Sequence, residues 1–313
     1  MNRPTTAPNA ATEKRIGIAV LCVAMILLPL GDAISKLLTA IITPFEVTLG
    51  RTIAQATLFV PVAYVMRRHL SGSIFSLASL ISAVMLGVVT LCLVTAFAVM
   101  PIATAIAIFF VEPLLLTLLA GPLLGEVPGP RRYAAVAVGL IGALIVIRPN
   151  FAAFGPVALL PVLGAFAYAL NMIVMRKSTR KRSALSFQFG ASIFAAGLLL
   201  LVQIVIVAVT GQPSGLLDLP VWAYLLLLLA GVLAMMAFLS ITYAFSKVEA
   251  SLLAPFQYLE IVGATLVGFL FFSEIPDGLT MLGTAIILAS GIYVFHRERQ
   301  LEIEAAASQP VER

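Results

Sequence analysis

Two glutamates, Glu112 and Glu260, stand in apolar stretches almost bare of other charge, and a shift of 148 residues lays one on the other. At that shift residues 96–148 match 244–296 without a gap. Glu126 meets Glu274, Pro128 meets Pro276, Ala96-Phe97 meets Ala244-Phe245, and Thr117-Leu118 meets Thr265-Leu266. Matched leucines prove little in such a chain, but matched carboxylates are hard to obtain from composition. A charged side chain at the centre of a membrane helix costs about 2.5–3.5 kcal/mol on insertion scales, so its default reading is a site facing a polar cavity. Two acids related by an internal repeat would face one cavity, where mutual repulsion favours holding a proton between them, as proton coupling requires. The alternative is that each carboxyl hydrogen-bonds a neighbouring helix and only holds the bundle together.

Other polar side chains join this pair. Pro113 follows Glu112 and offers no N–H to the helix ladder, which frees the carbonyl of Phe109; this is a hinge beside a buried acid, or a passive kink. Asp32 and Lys36 lie four apart on one helical face and are expected to pair. Arg51 and Gln55, also four apart, follow Glu46. Lys36, Glu46, Arg51 and Gln55 read as an outer gate or an ion-pair network, with Asp32 the deepest member and the best functional candidate. Tyr168 and Asn171 share a face, as do Gln257 and Glu260 with Tyr258 beside them. They would line a pocket for a polar solute, or make interhelical hydrogen bonds worth about 0.6–2 kcal/mol. The substrate or coupling site read from the chain is therefore Glu112, Glu260, Asp32, Tyr168, Asn171, Gln257 and Tyr258.

Catalytic chemistry finds no support. His69 and His296 sit at helix ends without a partner motif, so neither a metal site nor a triad is expected. No glycine-rich phosphate loop ending in Gly-Lys-Ser/Thr occurs, which argues against direct ATP drive, and nothing calls for a cofactor. Cys22 and Cys92 both fall inside apolar runs and point to no disulfide framework.

The elements that must position these residues are membrane helices. The 313 residues are 61% hydrophobic and 11% charged, with a mean hydropathy of +1.11, where soluble domains carry about 25% charge. At about 20 residues per crossing, apolar runs give ten spans: 16–38, 45–66, 75–97, 103–124, 131–147, 154–175, 186–208, 221–245, 250–272 and 279–295. Uninterrupted apolar runs exclude a transmembrane β-barrel, whose strands alternate. Of the 19 Lys and Arg, all but Lys36, Arg51 and Arg148 fall in the N-terminal, even-numbered-turn and C-terminal segments that face one side. By the positive-inside rule both termini are cytoplasmic, and the basic clusters need anionic lipid headgroups rather than nucleic acid. Arg148 is expected in an outer loop, and 176–182 as a flexible cytoplasmic loop. The polar start, about a dozen residues, reads as disordered, and the first apolar run as a retained helix rather than a cleaved signal.

Five spans per half is an odd number, so the second copy enters the membrane in the opposite sense. The chain is thus an all-α integral membrane protein of ten transmembrane helices in two inverted five-helix repeats: a tail at 1–14, repeats at 15–149 and 150–298, and a tail at 299–313. Inverted repeats are typical of secondary transporters, whose site lies near the bilayer midplane between the halves.

Several motifs carry a resemblance to a known family: Thr43-Pro44-Phe45 followed by Arg51, Ala96-Phe97 to Pro101, Glu112-Pro113, the helix ends Gly125-Glu126 and Ser273-Glu274, and the run from Ala254 to Glu260. The sequence resembles the drug/metabolite transporter superfamily, in its ten-span EamA-type branch. Ser273 departs from the usual glycine. The resemblance implies a central cavity between two bundles and transport of small organic solutes, and the 254–260 run is similar to a subgroup of metabolite or S-adenosylmethionine carriers. The expectation is a secondary transporter in a bacterial inner membrane, moving a small cationic or zwitterionic metabolite, possible as a monomer or a homodimer. The rivals are an integral-membrane lipid-modifying enzyme and a non-transporting scaffold. Gly121 and Gly125 form a small-xxx-small pair suited to close helix packing.

Overall fold

The computed structural model describes residues 8–124, 130–248, 253 and 256–307. Among them no strand occurs, and the chain folds as α1 (Pro8–Leu38), α2 (Pro44–Val65), α3 (Leu77–Phe97), α4 (Ile102–Phe109), α5 (Glu112–Leu124), α6 (Pro130–Phe154), α7 (Leu160–Ser178), α8 (Ala184–Thr210), α9 (Val221–Lys247), α10 (Leu259–Phe272) and α11 (Gly278–Ala307). Six helical stretches among the described residues are long and apolar enough to cross a membrane: Glu13–Leu38, Leu77–Phe97, Ile102–Leu119, Tyr133–Ser178, Ala184–Thr210 and Val221–Lys247. Leu259–Phe272 and Gly278–Tyr293 are shorter apolar helices. Glu126, Pro128, the Gly121–Gly125 pair and the Ala254-Pro255 part of the ninth-span motif lie outside the described residues and side chains.

Local sequence sets where the helices start and stop. Thr43 caps α2 through a capping box with Glu46, with Pro44 in the first turn, where its missing N–H costs nothing. Ser76 and Ser183 cap α3 and α8 by accepting from Ser79 N and Ser186 N. The α10 helix ends on Ser273 at φ 55°, the left-handed conformation that favours glycine, and Glu274 N then donates to the Gly268 carbonyl. That closing bond holds a serine where the family pattern has glycine.

The structure corrects several expectations about boundaries. The run expected as one span at 103–124 is two helices: Phe110 and Val111 form a turn, and α5 restarts at Glu112. Pro113 explains the restart, since it cannot donate within the helix ladder. Arg148 lies inside α6, which continues to Phe154, not in a loop. The N-terminal segment is helical from Pro8, and α11 runs on to Ala307, past the expected end of the last span. The basic stretch expected as a flexible loop begins within α7 and is anchored: Lys177 Nζ, in the last turn of α7, donates to the Leu123 carbonyl, and Arg182 Nη1 to the Ser73 carbonyl and to Ser76 Oγ.

The main packing pairs are α1 with α9, α6 with α11, α3 with α7, and α2 with α9. Helices α6 and α11 approach at glycine. A Cβ on Gly142 would lie 2.9 Å from the Gly283 carbonyl oxygen, and one on Gly283 would lie 2.6 Å from that of Gly142. On the same pair of helices Ser290 Oγ donates to the Ala135 carbonyl. Adding 148 to positions 142 and 135 gives 290 and 283, so the two contacts exchange under the internal repeat. The buried apolar core gathers α4, α6, α7 and α10 around Phe97, Ile106, Ile108 and Leu114. By contrast, α8 turns Leu201, Ile204, Val205 and Val209 outward, as a lipid-facing helix requires.

Candidate functional site

Each glutamate of the matched pair opens a helix directly after a break. Glu112 is the first residue of α5, following the Phe110–Val111 turn, and Glu260 lies in the first turn of α10, following Tyr258. The breaks touch: the rings of Phe110 and Tyr258, themselves 148 apart, lie with centroids 5.6 Å apart. A first-turn acid also meets the positive end of the helix dipole, which offsets part of its desolvation.

Both glutamates line one cavity, together with Asp32, Arg51, Pro113, Tyr168 and Gln257. Its walls are largely apolar, with Met25, Val89, Phe109, Phe110 and Phe238 among them. Asp32, Glu112 and Glu260 are 7%, 6% and 9% exposed. Among the described residues the one cation in the lining is Arg51, and it is placed for Asp32: its Nη1 lies 3.7 Å from Asp32 Oδ1 and donates to Ser35 Oγ at 2.9 Å. Among the described residues that leaves two glutamates without a countercharge in the cavity wall, and Glu112 Oε1 is buried with no hydrogen-bond partner. An unpaired buried carboxylate is costly. A cation entering the cavity, or a proton, removes that cost.

The remaining residues read from the sequence divide. Asn171 joins two helices: its Oδ1 accepts from Ser82 Oγ at 2.6 Å between α7 and α3. Tyr258 packs against Phe110 beside the cavity without lining it. The expected Asp32–Lys36 pair does not form. Lys36 Nζ instead bonds Glu274 Oε1 at 2.5 Å and the Met100 carbonyl at 2.8 Å. Glu274 Oε2 accepts from Ile102 N at 3.1 Å, so one carboxylate ties α1, the start of α4 and the end of α10. The expected charged cluster is thus several separate contacts. Glu46 serves its own capping box and receives Ser214 Oγ and Gly215 N, while Gln55 Nε2 donates to Ser192 Oγ on α8. Same-helix spacing cannot see partners on other helices, and those partners won. Sequence reading missed the aromatic walls Phe109, Phe110 and Phe238; adjacency of two of them to Glu112 was the available signal.

A multi-helix apolar bundle enclosing an acid-lined cavity is the architecture of a membrane transporter. The EamA-like transporter family profile matches residues 15–148 and 155–295. The chain belongs to that family, within the drug/metabolite transporter superfamily, and is a multi-pass membrane transporter of a bacterial family. It is 32% identical over 217 residues to a riboflavin transporter of Rhizobium johnstonii, covering 68% of each chain. It is 25% identical over 292 residues to an S-adenosylmethionine uptake transporter of Rickettsia bellii, covering 93% of this chain and 97% of the relative. To the pseudopaline exporter CntI of Pseudomonas aeruginosa it is 28% identical over 216 residues, covering 68% and 72%. A solved crystal structure with 20% sequence identity covers 93% of this chain and 99% of its own at a TM-score of 0.60, and shares the fold.

Proposed function

We propose that the protein is a ten-span secondary transporter of two inverted repeats, 15–149 and 150–298, that moves a small cationic or zwitterionic metabolite across the bacterial inner membrane by alternating access. The observation that carries this reading is the cavity itself: Glu112 and Glu260, equivalent in the two halves, line it together without a countercharge of their own among the described residues. The exchange of the Gly142–Gly283 and Ala135–Ser290 contacts supports a two-fold relation between the halves. In this reading Glu112, Glu260 and Asp32 recognise the solute or the coupling proton, Tyr168 and Gln257 orient it, and the break before Pro113 is the hinge. Both termini face the cytoplasm, by the charge distribution of the loops.

The apolar aromatic walls favour an organic cation over a bare metal ion, since ring faces attract cations. The Rickettsia relative's named solute, a sulfonium, fits that class. Solute uptake into proteoliposomes, with and without a pH gradient, tests the proposal. Flux that rises with the gradient and collapses in Glu112→Gln and Glu260→Gln is expected. Equal flux in both variants and the parent would remove these residues from the mechanism, and no flux of any solute would favour an enzyme or scaffold.

A further inference from the structure

Away from the acid-lined cavity, a groove of about 490 Å³ lies between α1, the ends of α2, α7 and α9 and the start of α8. These are the ends that the positive-inside rule assigns to the cytoplasm. The volume falls within the range of about 300–1,000 Å³ typical of small-molecule sites. Val20, Met66 and Leu239 give the groove apolar surface, Ser183, Ser240 and Tyr243 give it hydroxyls, and Arg182 and Lys247 give it positive charge, with His69 beside them. No acidic side chain lines it among the described residues.

The lining is graded along the membrane normal. On α9 one face carries Leu239 and Ser240, then Tyr243, then Ser246 and Lys247, a run of about 12 Å at 1.5 Å per residue. The apolar end is therefore the deeper one, and the ammonium stands at the membrane surface. The two cations are held differently, and neither is cancelled by a tight partner. Arg182 Nη1 donates to the Ser73 carbonyl and to Ser76 Oγ, neutral acceptors that fix the guanidinium and leave its charge. Lys247 Nζ lies 3.6 Å from Glu13 Oε1, with the two side chains 39% and 54% exposed, a loose pair of the kind that water screens.

The internal repeat adds an independent sign. At the shift of 148, Ser240, Tyr243, Ser246 and Lys247 fall on Cys92, Thr95, Ala98 and Val99, so the polar face belongs to this end of the molecule and not to the duplicated unit. The positive-inside rule accounts for a lysine there, but not for the hydroxyls beside it.

We propose that this groove binds one anionic phospholipid of the cytoplasmic leaflet, with its phosphodiester between Arg182 and Lys247 and the start of an acyl chain along Val20, Met66 and Leu239. A guanidinium matches phosphate geometry, and basic pockets between membrane helices on this side are where such headgroups are held. The groove takes walls from both halves of the chain, α1 and α2 in one and α7, α8 and α9 in the other. A lipid seated there ties them together. This site is separate from the solute cavity and does not depend on the cation reading.

The purified protein in dodecyl maltoside is titrated with dioleoyl phosphatidylglycerol, with dioleoyl phosphatidylcholine and with the deacylated headgroup glycerophosphoglycerol, and binding is read as the shift in the thermal unfolding midpoint. Phosphatidylglycerol is expected to raise the midpoint saturably, and the other two to leave it unchanged. Lys247→Gln and Arg182→Gln each weaken the apparent affinity roughly fivefold, the value of one basic residue at a membrane surface. Ser240→Phe and Val20→Phe fill the groove without altering any charge, and both are expected to abolish the preference for phosphatidylglycerol; a general attraction of lipid to a basic face would survive them. Equal shifts with phosphatidylglycerol and phosphatidylcholine, or a preference that persists in both filled variants, overturns the site. Glycerophosphoglycerol acting as well as the intact lipid overturns the lipid as its occupant.

Discussion

Glu274 and Glu260 stand on and just beyond the same helix and have opposite surroundings. Glu274, past the end of α10, is fully engaged by Lys36 and Ile102 N. Glu260, in the first turn of α10 at its other end, lines a cavity with Glu112 and Asp32. The two acids were equally prominent in the repeat, yet only one has its charge compensated by the protein. The difference teaches that an acid in a membrane helix is assigned by whether its partner is already present, since a carboxylate with a built-in cation has little left to offer a solute.

That contrast can be broken or sharpened in order of expected effect. Glu112→Gln lowers solute flux by about tenfold to a hundredfold, the value of one charge-assisted hydrogen bond, with no loss of thermal stability because Oε1 has no partner to lose. Glu274→Gln does the reverse. It leaves the Lys36 ammonium half without its countercharge and lowers stability by about 2 kcal/mol, read as a lower unfolding midpoint, while Lys36→Met with Glu274→Leu recovers most of the loss. Asn171→Ala removes the Ser82 bond and costs about 1 kcal/mol of stability, with flux per folded molecule unchanged. Glu46→Gln weakens the α2 capping box and the tie to Gly215 by roughly 0.5–1 kcal/mol, the smallest effect of the series.

The helices were legible in the chain because the hydropathy of each run is a local property, and the matched glutamates because charge is rare there. Partners were not legible. Asp32 has Lys36 on its own face at i+4, but Arg51 on α2 reaches it, and Lys36 finds Glu274 across 238 positions. Local spacing sets which pairs are possible within a helix, and packing between helices decides which form. The same limit applies to neutral polar residues: Asn171 and Gln257 read alike in sequence, yet one joins two helices and the other lines the cavity.

The central claim is that an acid from each half lines one shared cavity open to water, and single-cysteine labelling tests it most directly. In a background with Cys22→Ala and Cys92→Ala, Glu112→Cys and Glu260→Cys are introduced singly and together and exposed to a water-soluble methanethiosulfonate. Both cysteines are expected to react in the single variants, and in the double variant modification of one slows the other because they share the space. Two cysteines that stay unreactive in folded protein, or that react independently of each other, would contradict the account.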